Sequence, residues 1–284
     1  PQKDEPVWEK LDEFCFLLRP RGDSRPRAVL LFVGGALVGA APQFTYNRFL
    51  AQLVSRGFWI VAASYAMAID FVSVADLLET RFNRALSCLD CGDAPVWGIG
   101  HSLGALAQVL ISSRHPSGRR RGQILVSHTR RGEESLPVIR GALRANPVLG
   151  PLLSAMDVGA ASDLFLKGAE FVEQAMPRVA QRRKLDATST SAPSPIRDVA
   201  PLLQQMLPLL REVGVEQDSF RPNEVQLASA IQKGYRDRDT LLLRLGGDGL
   251  DETAKLAAAL AALPADRLVD FSYKVLCGQH LVPL

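Results

Sequence analysis

The chain has 284 residues, of which 47% are hydrophobic, enough to bury a large core in one sizeable α/β domain or in a domain carrying an insertion. Its 33 basic residues nearly balance 30 acidic ones, and a net charge of +3 excludes the long-range field that a nucleic-acid binder relies on. Four cysteines (Cys15, Cys88, Cys91, Cys277) are too few and too scattered for a disulfide-stapled secreted scaffold and point to a reducing compartment.

The first strong element is "AVLLFVGGALVGAA", Ala28 to Ala41, which is shorter than the roughly 20 residues a membrane helix needs. It reads as a buried strand, Arg27 to Val33, running into a glycine loop. "FTYNRFLAQLVSRGF" follows with Tyr46, Phe49, Leu50 and Leu53 at helical spacing and Gly57 as the stop. A second buried strand covers Phe58 to Ser64, and then "SVADLLETRFNRALSCL" sets Val74, Leu77, Leu78, Phe82, Ala85 and Leu89 on one stripe. Cys88 and Cys91 form a CxxC at the end of that helix rather than at the start of one, where a dipole would stabilise a thiolate; no zinc partners stand near, so they read as structural. A third strand spans Ala94 to Gly100 and a fourth Gln123 to Ser127, with His115 and the cluster Arg119, Arg120 and Arg121 in what reads as a solvated polar loop between them. Short apolar strands alternating with helices predict an open, mostly parallel sheet covered on both faces.

From about Leu136 to Glu224 the alternation fails. "DLFLKGAEFVEQAM" and "VAPLLQQMLPLLREV" are helix-like, and "DATSTSAPSPIRD" suits a linker, so residues 136–224 are expected to form a helical cap with a flexible linker near 186–198. Residues 1–135 and 225–284 then make the core. Pro222 is placed to open the helix that returns the chain to the sheet, "TLLLRLG" (Thr240 to Gly246) is a further buried strand, and Leu268 to Leu276 reads as an edge strand.

Chemistry concentrates at "GIGHSLGA". Gly100-His101-Ser102-Leu103-Gly104 fits G-x-S-x-G, preceded by a strand and followed by a helix, so Ser102 is expected on a strained turn that lifts Oγ above the sheet. His101, adjacent to the serine, reads as a spacer of that turn. A serine needs a base oriented by a carboxylate, and in this architecture they follow in the order serine, acid, histidine. "LGGDGLDET" supplies Asp248, with Asp251 as the alternative acid, and "CGQHLVPL" supplies His280, whereas His128 comes too early for that order. Oxyanion donors are expected from the loop Gly34, Gly35 and Ala36 and from the amide of Leu103; Gly35, Ala36 and Leu103 are the named candidates. No GxGxxG or Walker pattern is present, so no cofactor and no metal are expected.

"FVGGALVGAAPQFTYNRFLAQLVSRGF", "GIGHSLGA", "LLLRLGGDGLDET" and "GQHLVPL" together resemble an uncharacterised family of α/β-hydrolase-like proteins of cyanobacteria and chloroplasts, the domain of unknown function 1350 family, from about Trp8 to the end of the chain. The resemblance implies an α/β-hydrolase fold, a chloroplast setting, and Ser102, Asp248 and His280 as serine, acid and histidine. Where the family carries a histidine after the second strand, this chain reads "MAIDFVS", with Phe71 or its neighbours in that place. Pro1 rather than Met stands first, so any targeting segment is expected to have been removed or to lie outside this chain.

Two functions fit. The first is a serine hydrolase acting on a small-molecule ester, thioester or lipid acyl group, the apolar cap favouring a greasy acyl chain, with room for a peripheral membrane contact and none for nucleic acid. The alternative is a non-catalytic subunit or assembly factor of a plastid protein complex, since a fold does not guarantee chemistry.

Overall fold

The computed structural model describes residues 6–22, 25–36, 38–65, 68, 70–115, 119–130, 220–264, 266–267 and 270–284. Eight strands form one sheet: β1 (Val7–Lys10), β2 (Cys15–Arg19), β3 (Ala28–Val33), β4 (Phe58–Ala63), β5 (Val96–His101), β6 (Arg120–Val126), β7 (Asp239–Leu245) and β8 (Asp270–Leu276). Their order across the sheet is β1-β2-β4-β3-β5-β6-β7-β8. β1 and β2 pair antiparallel, as do β2 and β4, while every pair from β4 through β3 to β8 is parallel. This order, with its antiparallel start and crossover between β3 and β4, is that of the α/β-hydrolase fold.

Strand β3 shows how the sheet divides the core. Val29, Leu31 and Val33 point into one cluster and Ala28, Leu30 and Phe32 into another, as the two-residue period of a strand requires. The first cluster lies under α3 (Phe71–Ser87), α4 (Leu103–Arg114), α5 (Glu224–Gly234) and α6 (Thr253–Ala261). On the opposite face, Leu50 and Val54 of α2 (Asn47–Val54) and the buried ring of Tyr46 cover the strands. Fully burying a leucine such as Leu50 contributes about 1.5–3 kcal/mol, so α2 is held by its apolar stripe. Tyr46 separates α2 from the single turn α1 (Pro42–Thr45), breaking what the sequence reads as one helix.

Other details also differ from the sequence reading. β1 and β2 carry no pattern that announces them; Trp8 anchors the first by donating its indole N–H to Asn47 Oδ1 at 2.8 Å. Leu77, assigned to the apolar stripe of α3, is exposed. The arginine cluster is no solvated loop: β6 begins at Arg120, whose buried guanidinium donates to Gln108 Oε1 at 2.5 Å and faces Asp237 at 3.5 Å, while exposed Arg121 pairs with Asp239. Burial raises the Asp237 carboxyl pKa, and Arg120 works against that. His115 ends α4 and sits 2.7 Å from Asp76. Cys88 and Cys91 follow α3 as free thiols, one exposed and one buried.

The cap expected over 136–224, with its linker, falls almost wholly outside the described residues. At its borders, however, the chain is pinned. The Arg130 amide donates to Glu252 Oε2 at 2.8 Å, and its guanidinium lies 3.6 Å from Glu224. The Phe71 amide donates to the Arg221 carbonyl at 2.8 Å, and the Phe220 ring packs against Phe71, 5.3 Å between centroids. Phe71 therefore serves as a packing residue at the start of α3.

Candidate active site

The turn from β5 into α4 places Ser102 at φ 58°, ψ −123°. A non-glycine residue there stores strain of order 1–3 kcal/mol, so the surroundings must hold it. They do so through the Ser102 amide, which donates to the Val126 carbonyl of β6 at 2.9 Å, and through close backbone packing. A Cβ on Gly104 would collide with the carbonyls of Val33 and Gly34, and one on Gly100 with the Gly104 carbonyl. The two glycines thus let three backbone segments approach more closely than side chains would allow.

The loops after β7 and β8 meet above this turn. They are joined by Gly246 N–H donating to the Leu276 carbonyl and Gly247 N–H to the Gly278 carbonyl, both at 2.8 Å. One carries Asp248 and the other His280. His280 Nδ1 lies 2.6 Å from Asp248 Oδ2, and its Nε2 lies 2.8 Å from Ser102 Oγ. A carboxylate only accepts, so Nδ1 carries the proton and Nε2 is left with a lone pair aimed at the serine hydroxyl. All three residues are buried.

Burial pushes the Asp248 carboxyl up, but its hydrogen bonds to His280 and to the Leu250 amide outweigh this and hold it below the usual carboxylate range. It is therefore ionised at neutral pH, the state that orients a neutral imidazole. Asp251 is occupied elsewhere: its two oxygens accept from the Thr253 amide and hydroxyl, each at 2.9 Å, at the start of α6. Only Asp248 of the two touches His280.

The candidate oxyanion donors separate. Leu103 opens α4, where backbone N–H groups have no intrahelical acceptor and the helix dipole adds positive potential. Ala36 is buried in the loop after β3. Gly35 does not match its expected part, because its N–H is given to Tyr46 Oη at 2.8 Å. It still borders the site: a Cβ there would stand 3.0 Å from the Ser102 Cβ. Tyr65 steadies the same loop by donating to the Gly34 carbonyl at 3.1 Å.

Two residues that the sequence reading leaves outside the site belong beside it. Tyr46 Oη lies 2.8 Å from His101 Nδ1, and His101 Nε2 lies 2.8 Å from the carbonyl of His280. Burial above all, and then the neighbouring His280, drive the His101 pKa down to about 3, so this ring is neutral. His128, at the end of β6, is also buried, with its pKa lowered by burial to about 4. Among the described residues no group of His, Cys, Asp or Glu is arranged to hold a metal ion, and no helix is long and apolar enough to cross a membrane.

Residues 14–150 match the model of a family described as "Protein of unknown function (DUF1350)". The match covers just under half of the chain and stops before Asp248 and His280, a shorter span than the resemblance from Trp8 onward suggests. No curated protein matches the sequence. Among solved structures, the chain is similar to the thioesterase domain from the curacin biosynthetic pathway, with 16% identity, 99% of this chain and 94% of that one covered, and a TM-score of 0.48. It is also similar to a soluble variant of monoglyceride lipase from Saccharomyces cerevisiae in complex with a substrate analog (15%, 99% and 89%, TM-score 0.49). A third is proline iminopeptidase from Mycobacterium smegmatis (15%, 97% and 91%, TM-score 0.47). These likenesses say nothing about substrate.

Proposed function

We propose that the protein is a serine hydrolase that cleaves an ester, thioester or lipid acyl group. The observation that carries this reading is the unbroken hydrogen-bonded series Asp248, His280, Ser102, ending on a serine held in a strained turn at a helix N-terminus. In the reaction, Ser102 Oγ attacks the acyl carbonyl while His280 Nε2 takes its proton. Asp248 stabilises the resulting imidazolium, which then protonates the leaving group, and water releases the acyl-enzyme by the same route in reverse. The amides of Leu103 and Ala36 are the donors for the oxyanion, and an inward Gly35 amide is not needed. The acyl-chain preference and a plastid setting are parts of the proposal that rest on the sequence alone.

The experiment is labelling with a fluorophosphonate probe, followed by turnover of p-nitrophenyl esters of increasing chain length. Wild-type protein should be labelled at Ser102 and hydrolyse at least one ester, and Ser102→Ala should lose both, with turnover falling at least about 10³-fold. A folded wild-type protein that takes no label and migrates in a large complex would favour the non-catalytic subunit instead.

A further inference from the structure

We propose that Tyr46 and His101 are positioning residues that fix the backbone carrying the base, an inference that rests on the hydrolase reading. The contacts form one directional series through three segments far apart in sequence. The Gly35 N–H can only donate, so Tyr46 Oη accepts it. The His280 carbonyl can only accept, so His101 Nε2 carries the proton and donates to it at 2.8 Å. His101 Nδ1 is then a lone pair, and the Tyr46 hydroxyl donates to it at 2.8 Å. The two backbone ends, a donor and an acceptor, fix the sense of the bonds between them.

The base needs this hold. His280 sits in a turn after β8, close behind Gly278 at φ 147°, and Asp248 grips only its imidazole. The His101 bond takes the other side of the residue, its carbonyl, so ring and backbone are clamped independently. Tyr46 and His101 are both buried, which excludes water as a substitute partner.

Burial above all keeps His101 neutral, against the pull of its bond to the His280 carbonyl. The groups facing it are Tyr46 from the junction of α1 and α2, His280 from the turn after β8, and Asp248 from the turn after β7. A second proton would land on Nδ1 against the Tyr46 hydroxyl and force that hydroxyl to turn its own proton away. His101 and His280 have ring centroids 4.9 Å apart, so a neutral His101 spares the imidazolium formed during reaction a like charge next to it.

Two measurements test the assignment. In ¹⁵N-histidine NMR of the wild-type protein, His101 should be the neutral Nε2–H tautomer throughout pH 5–9; an Nδ1–H tautomer, or titration within that range, overturns the relay. In fluorophosphonate labelling, His101→Leu and Tyr46→Phe should react about 10–100-fold more slowly per folded molecule. His101→Gln, whose side-chain N–H can still reach the His280 carbonyl, should recover part of the rate. Wild-type labelling rates in the leucine and phenylalanine variants, or no rescue by glutamine, overturn the positioning role. A wild-type protein that takes no label at all defeats the hydrolase reading, while the NMR result still decides the relay.

Discussion

Strand β3 is buried along its whole length, whereas β8, at the far edge of the same sheet, leaves Tyr273, Val275 and Leu276 open to solvent. The Ser102 turn follows β5, which pairs with β3, whereas Asp248 follows β7, one strand in from that edge, and His280 follows β8 itself. Around Ser102, backbone touches backbone, and geometry is enforced by exclusion. Around Asp248 and His280, two short loops are tied by individual hydrogen bonds, and geometry is enforced by direction. The two halves of the site should therefore fail in different ways.

The largest difference is expected between the two carboxylates that follow β7. Asp248→Asn offers His280 an amide in place of a carboxylate and disfavours the Nδ1–H tautomer, so the labelling rate should drop by about 10⁴-fold with little change in melting. Asp251→Asn, which disturbs the start of α6 and the 3.8 Å approach of Arg244, should keep activity within about twofold and cost about 1 kcal/mol of stability. Equal activity losses in the two variants would erase the distinction between these carboxylates.

The next test uses acid. His101 and His128 both titrate lower in the folded chain, at about 3 and about 4, than the ordinary 6.5. Between these values the unfolded chain binds more protons, so the stability is fully present above about pH 6.5 and lost as pH falls through that window. Each histidine should cost about 2 kcal/mol between pH 7 and 5, read by urea unfolding, and His128→Gln should remove about half of the slope.

Gly104→Ala probes the tight half. Its methyl group meets backbone that cannot step aside, and a loss of about 2–3 kcal/mol in urea unfolding is expected. The smallest effect belongs to the open edge: Val275→Lys should shift stability by no more than about 0.5 kcal/mol, because the side chain is already in solvent.

The same division explains what the sequence makes legible. β3 to β7 announce themselves because strands covered on both faces become apolar runs between helices. β1 and β2 mix Trp8, Cys15 and Leu17 with charged residues at an antiparallel edge and leave no such run. Ser102, Asp248 and His280 can be named from motif and chain order, and the structure brings them together. Tyr46 and His101 cannot be read that way, because helical spacing marks Tyr46 only as a buried ring and says nothing of where its hydroxyl ends. Gly35 carries the same lesson: a glycine loop tells that backbone comes close, while the partner its amide meets is set by a side chain eleven positions on. Arg120 misleads for the reverse reason, since three arginines in a row look solvated until Asp237 and Gln108 arrive from distant segments.

The pinned borders at Arg130 and Glu224 make the frame a socket. Arg130 and Glu224 stand 3.6 Å apart, one tied by its amide to Glu252 and the other opening α5, so the two chain borders meet at one place beside the sheet.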